Sequence, residues 1–393
     1  MNIFNSLGSN YDFNLCLKSL FSFNANQSEL GKILEEKYGG RAVLLYKGRQ
    51  ALQLALQTLN LPKDSYVAIN GFTCFAVYES IKSAGLKIEY LDIERGDLNF
   101  PPEVLKLRIK INPKIKAVIV QNTLGYPCDI EKIAEICKNN QIILIEDLAH
   151  SVGGKYENGQ EMGTVGDLVV LSFSQDKMID GISGGALIIR NNSSLAEEFA
   201  KVSDKQQFKD RFYPLLTFLI RKTYPFAVGK ILHKILKMFN LLSNPMGVDS
   251  TIIHKLSNWY CPLIKSQFDH LESNLIHRKK IASIYNQMIS QKIISKTISG
   301  QINLSSNLRF PIFVNNRESL MKYLTKYGIY VSDIWYDGPI APKKYLSQTS
   351  YAGECPNSEL ASSEILNLPT HQSVSEEDAQ KISELINKWL TLK

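Results

Sequence analysis

Two apolar runs in the middle of the chain end in side chains that could do chemistry together. The run 142–145 ends in Glu146-Asp147, the run 168–173 carries Ser172 near its end, and a lone Lys177 follows shortly after. Short apolar runs bounded by polar residues predict buried strands, and buried parallel strands deliver their terminal residues to one edge of a sheet. An acid, a hydroxyl and an amine gathered at such an edge suit pyridoxal 5'-phosphate. That coenzyme needs a carboxylate for its ring nitrogen, a lysine for its aldehyde and hydroxyls for its phosphate. A buried Asp147 needs a cationic partner, which a protonated pyridine nitrogen provides. Lys177 moves protons only if a cationic neighbour and partial desolvation lower its pKa. A second anion-holding element is Gly48-Arg49, placed where a helix is expected to begin. Backbone amides at a helix N-terminus favour a phosphate, and glycine lets it approach closely. The Arg49 guanidinium either grips the phosphate directly or points outward and leaves the amides alone; contact is the favoured reading.

The elements that must position these residues alternate regularly. Strands are expected at 42–46, 66–69, 88–91, 117–121 and 142–145, and helices at 51–59, 76–84 and 130–139. A helix from residue 28, with Ser28 as its cap, precedes them. This alternation predicts an α/β chain whose mostly parallel sheet is covered by helices on both faces. Ligands of such sheets sit at the carboxyl ends of the strands, where Gly48, Asp147 and Ser172 fall. The expected division is an N-terminal arm over 1–27 without clear periodicity, a large domain over 28–270 and a small α/β domain over 271–393. In the last, strands are expected at 308–314 and 330–332, helices at 318–326 and 376–389, and a turn at Asp337-Gly338-Pro339.

A series of motifs in fixed order adds to this. Glu146-Asp147-Leu148-Ala149-His150 is followed by Gly163-Thr164-Val165-Gly166-Asp167, then Ser172-Phe173-Ser174-Gln175-Asp176-Lys177, then Gly184-Gly185. The series resembles the DegT/DnrJ/StrS family of pyridoxal-phosphate-dependent sugar aminotransferases, of fold type I in the aspartate aminotransferase superfamily. The resemblance runs from about residue 28 to the C-terminus and implies a homodimer with its active site at the interface. It implies Lys177 as the coenzyme-bound lysine, Asp147 at the ring nitrogen, and His150 over the ring or near its phenolic oxygen. Ser172 would hold the phosphate. At Thr73-Cys74-Phe75 either Cys74 lies under the ring or Phe75 reaches it. Lys255 is the one candidate for a contact to the partner's phosphate. Glutamate is the implied amino donor, and a nucleotide-linked or lipid-linked keto-sugar the acceptor, in cell-surface polysaccharide or secondary-metabolite synthesis. The chain departs from the family pattern at Arg49, Cys74, Ser183 and Ile253. These departures support a second reading, a non-catalytic, membrane-associated binding or scaffold protein of the same fold. His371 and Tyr336-Asp337 are candidates for touching the sugar.

The remaining composition excludes several classes. The net charge of +7 over 393 residues is mild, and the six cysteines show neither CxxC pairs nor metal-ligand spacing, so no metal is expected. No secretion signal and no apolar run of spanning length is visible, which suggests a cytoplasmic protein. No GxGxxG follows a strand and no GxxxxGK[ST] occurs. Residues 205–250 form an insertion relative to the resembled family, with eight Lys/Arg against two Asp, interleaved with aromatic and aliphatic residues. This segment either packs its apolar face on the body or the dimer contact, or lies as a helix pair on an anionic membrane, at the inner membrane surface. Nucleic acid is not expected, since no fold-level motif supports it.

Overall fold

The computed structural model describes residues 2–22, 26–190, 198–245, 252–331 and 335–392. Ser332 of the expected strand 330–332, residues 23–25 of the arm and 246–250 of the insertion lie outside the described residues.

A seven-stranded sheet forms the centre, in the spatial order Arg41–Leu45, Gly185–Ile189, Leu168–Ser172, Ile143–Asp147, Ile115–Val120, Tyr66–Asn70, Lys87–Leu91. Every pairing is parallel except the two made by Gly185–Ile189, which runs against both neighbours. The strand side chains alternate between two apolar clusters. Ala68, Val118, Leu144 and Val169 face one, while Val67, Ala117, Ile145 and Val170 face the other. Both faces are therefore core, as continuous Val/Ile/Leu runs require. Helices Gly48–Thr58 and Phe75–Ser83 cover one face, and Gln27–Tyr38, Pro102–Ile111 and Ile130–Asn139 cover the other. Each fully buried aliphatic side chain contributes roughly 1.5–3 kcal/mol. A third cluster gathers helices Leu271–Met288, Arg317–Thr325 and Glu376–Thr391 around the antiparallel pair Arg309–Phe313 and Ile365–Pro369.

Several boundaries differ from expectation. The helix Gln27–Tyr38 is capped by Asn26, whose side chain accepts from the Ser28 amide at 3.0 Å, so Ser28 lies inside it. The aperiodic arm contains a helix, Phe13–Phe21, started by Asp12, and a short strand, Ile3–Phe4, beside Ile329–Tyr330. The strand Gly185–Ile189 was not expected. Gly185 is required there, because a Cβ would stand 2.6 Å from the Gly48 nitrogen.

The two acids that end the strand Ile143–Asp147 do different work. Glu146 is wholly buried and accepts from Tyr156 Oη at 2.7 Å and from the amides of Gly163, Val165 and Gly166 at 2.7, 2.8 and 2.6 Å. Asp167 accepts from the Leu144 amide at 2.8 Å. The Gly163–Asp167 motif is thus a wrapper around a structural carboxylate, which fixes the strand end where Asp147 emerges. Glu146→Gln weakens these charge-assisted bonds and is expected to destabilise the protein by about 3 kcal/mol. Urea denaturation would show a lowered midpoint; an unchanged midpoint would contradict this role.

Candidate active site

Lys177, Asp147, His150, Ser172, Gly48 and Arg49 line one cavity of about 790 Å³. Asp147 and Ser172 are the last residues of adjacent parallel strands, so the sheet itself sets their spacing. Gly48 begins the helix Gly48–Thr58, and no side chain caps this helix. A Cβ on Gly48 would stand 2.5 Å from the Ser172 Cβ, so only glycine lets the helix N-terminus and the serine share one wall.

Burial dominates the electrostatics of the cavity. It raises the Asp147 carboxyl above the usual range, opposed by the Ala149 amide, which donates at 2.9 Å, and by Lys177. Among the described residues no lysine or arginine forms an ion pair with Asp147. Burial lowers the Lys177 amine from its ordinary value; Cys74 and Asp147 oppose the shift and Arg309 adds to it. The Lys177 ammonium lies 4.2 Å above the Trp335 ring. His150 stacks on the same ring at 5.1 Å, and its Nδ1 accepts from the Leu124 amide at 3.2 Å. Burial, then Lys177 and Arg309, push the imidazole well below its ordinary pKa, so it is neutral. A buried acid lacking a counter-cation, a desolvated amine and an uncapped helix N-terminus fit a ligand with a basic ring nitrogen, an aldehyde and a phosphate.

Other expected residues are placed differently. Phe75 turns into the core between Tyr78 and Tyr345, with ring centroids 5.6 and 4.8 Å away, and Cys74 meets the cavity instead. Phe75 begins the helix Phe75–Ser83, whose apolar face draws it inward. Lys255 is exposed and does not line this cavity; its backbone pairs with Leu45 and Ala200 beside the outer strand. The Arg49 guanidinium donates to Glu79 at 2.6 Å and to the Pro245 carbonyl at 2.8 Å. His371 is buried against the Phe4 carbonyl and does not line the cavity, whereas Tyr336 does. The sequence reading missed Trp335, Lys47 and Asp210. The aromatic pair before the Asp337-Gly338-Pro339 turn was the available signal for Trp335. Lys47 precedes a glycine already singled out. Asp210 had no signal, because its partners come from distant segments.

Residues 27–387 match the model of the DegT/DnrJ/EryC1/StrS aminotransferase family, and the chain belongs to that family. It is a pyridoxal-phosphate-dependent aminotransferase. It is 25% identical over 343 residues to the dTDP-3-amino-3,6-dideoxy-alpha-D-galactopyranose transaminase of Aneurinibacillus thermoaerophilus, covering 87% of this chain and 84% of that one. A pleiotropic regulatory protein of Geobacillus stearothermophilus is 26% identical over 348 residues, covering 87% and 83%. The fold is similar to that of a DegT DnrJ EryC1 StrS aminotransferase from Brucella abortus, with a TM-score of 0.70, 22% identity and coverage of 96% and 95%.

Lys177→Ala is expected to abolish the visible absorbance of the coenzyme-loaded protein while leaving its near-ultraviolet circular dichroism unchanged. Unaltered absorbance would remove Lys177 from the chemistry.

Proposed function

We propose that the protein moves an amino group from glutamate to the carbonyl of a nucleotide-linked keto-sugar, in cell-surface polysaccharide or secondary-metabolite synthesis. The observation that carries this reading is the shared cavity of Lys177, Asp147 and the Gly48–Ser172 wall. Pyridoxal phosphate supplies the electron sink and the carrier for nitrogen. Asp147 holds the proton on the ring nitrogen, and its buried carboxylate gains the cation it lacks. The Ser172 hydroxyl and the amides at the start of the helix Gly48–Thr58 hold the phosphate. Lys177 binds the coenzyme and then carries a proton at its Nζ; desolvation keeps part of it unprotonated, as a base requires. Neutral His150, stacked on Trp335, walls the ring without adding charge. The carbonyl of the acceptor enters where Tyr336 and Gln121 line the cavity, Gln121 donating to Tyr336 Oη at 3.0 Å. Lys255 is exposed and free to approach a second copy of the chain, which suits a homodimer.

Incubation with nitrogen-15 glutamate and a panel of keto-sugar nucleotides is expected to give a labelled amino-sugar for at least one acceptor. No transfer to any member of the panel would overturn the assignment of substrate class.

A second reading concerns how the acceptor arrives. Helix Asp204–Thr223 packs on Phe13–Phe21 and buries Tyr213 and Ile220, but Val228–Met238 buries little. Val228, Ile231, Ile235 and Met238 are exposed, with Lys230 and Lys234 among them. No helix among the described residues is long and apolar enough to cross a membrane. An exposed apolar stripe edged by lysines suits shallow contact with anionic lipid. His233 and Lys237 of the same helix line the cavity, which suits a lipid-linked acceptor. The protein is expected to float with anionic vesicles, and Ile231→Glu combined with Ile235→Glu is expected to abolish flotation. A wild-type chain that ignores such vesicles would dispose of this reading and leave the nucleotide-linked one standing.

A further inference from the structure

Lys47 keeps only 2% of its surface exposed, yet it lines the cavity immediately before the helix Gly48–Thr58. Its Nζ donates to Ser183 Oγ at 2.8 Å and lies 4.6 Å from the Tyr46 ring centroid. The Ser183 hydroxyl in turn donates to Asp210 Oδ2 at 2.9 Å. Asp210 is wholly buried and also accepts from Tyr46 Oη at 2.7 Å, Tyr260 Oη at 2.6 Å and Gln206 Nε2 at 2.9 Å. The carboxylate is therefore saturated by neutral donors, and one hydroxyl separates it from the ammonium. Among the described residues Lys47 makes no ion pair.

A buried ammonium with spare N–H donors and no contacting anion is costly unless an anion enters beside it. The uncapped amides after Gly48 and the Ser172 hydroxyl belong to the same cavity wall. We propose that Lys47 is a phosphate-binding cation of the coenzyme cradle, and that Asp210, acting through Ser183, is the positioning residue that holds it there. This rests on the coenzyme reading above and extends it to the insertion, because Asp210 sits on helix Asp204–Thr223. It also gives Ser183 a role: a glutamate at that position would meet the ammonium directly and cancel its charge.

The groups that face Lys47 are Tyr46 and Arg49 from its own segment and Asp210 from helix Asp204–Thr223, with Tyr260 behind them donating to Asp210 and 6.0 Å from the Tyr46 ring. The His254 ring lies 6.4 Å from the Tyr46 ring, edge to face. Burial brings the Lys47 amine down to about 8, with Asp210 raising it and Arg49 lowering it further. Tyr46 and Tyr260 are both pushed up by burial, so they remain neutral donors. A phosphate dianion beside Lys47 raises its pKa again. Binding near and above pH 8 must then take up a proton, and affinity must fall as the pH rises through that window.

Pyridoxamine 5'-phosphate is the probe, since it lacks the aldehyde. Its ring nitrogen takes up a proton at Asp147 as well. The proton that belongs to Lys47 is therefore counted as the difference between parent and variant, and between this ligand and dephosphorylated pyridoxamine. Calorimetry in two buffers of different ionisation enthalpy counts the protons, and a Lys177→Ala background removes the other amine. Proton uptake near pH 8.5 is expected in that background. Lys47→Gln is expected to take up less proton than its parent, by up to about one per site, and to weaken binding roughly 10- to 100-fold. Asp210→Asn is expected to move the fall in affinity to lower pH, a shift that a purely structural role would not produce. Dephosphorylated pyridoxamine should bind the Lys47→Gln protein and its parent alike. Binding without proton uptake, or a Lys47→Gln protein with unchanged affinity and uptake, would overturn the assignment. Should Lys47→Gln fail to fold, the Asp210→Asn shift and the parent's excess uptake with pyridoxamine 5'-phosphate over dephosphorylated pyridoxamine decide. Absence of any pyridoxamine 5'-phosphate binding by the unmutated protein would instead overturn the coenzyme reading itself.

Discussion

A carboxylate that is buried without a cation constrains this molecule more than any other feature. Asp147 cannot move away from the cavity, because it is the last residue of a central strand whose neighbour, Glu146, is held by three backbone amides. Nor can Lys177 neutralise it fully, since the ammonium rests on the Trp335 ring instead of in an ion pair. Acid and amine therefore stay apart in a desolvated space, each shifted toward its neutral form. A flat ligand with a basic nitrogen at one end and an aldehyde at the other relieves both. The adjacent strand, ending in Ser172, and the close-packed Gly48 add the phosphate end. On the proposed reading, one sheet edge would hold every part of the coenzyme.

The insertion is part of that edge and no mere appendage. Its first helix places Asp210 behind Ser183 and Lys47, while the loop after its second helix reaches back to the site. There the Pro245 carbonyl accepts from Arg49, and Ser243 Oγ accepts from Gln175 at 3.0 Å. Arg49 and Ser183 thus each find one partner within residues 205–245. An arginine at 49 has Glu79 and Pro245 to hold it, and a serine at 183 has Lys47 and Asp210.

Much of the sheet was legible because buried parallel strands are apolar throughout and their helices carry a period near 3.6. Strands 66–69, 88–91 and 142–145 and the helix 130–139 lie within two residues of the observed bounds for that reason. The strand Gly185–Ile189 escaped because two glycines and a following polar stretch hid a short run. The arm's helix escaped because only Leu15, Cys16 and Ser19 face inward. Residues whose place in the cavity follows from their own strand end, such as Asp147 and Ser172, could be located from sequence. Phe75 was drawn to the core by its helix, and Lys47 and Asp210 are linked through Ser183 from distant parts of the chain, a connection that no local pattern encodes.

The proton on the coenzyme's ring nitrogen tests the central claim most directly. With pyridoxal phosphate labelled at that nitrogen, nuclear magnetic resonance of the loaded protein should report a protonated ring at neutral pH, and a neutral ring in Asp147→Asn. The same nitrogen shift in both proteins would contradict the pairing on which the account rests.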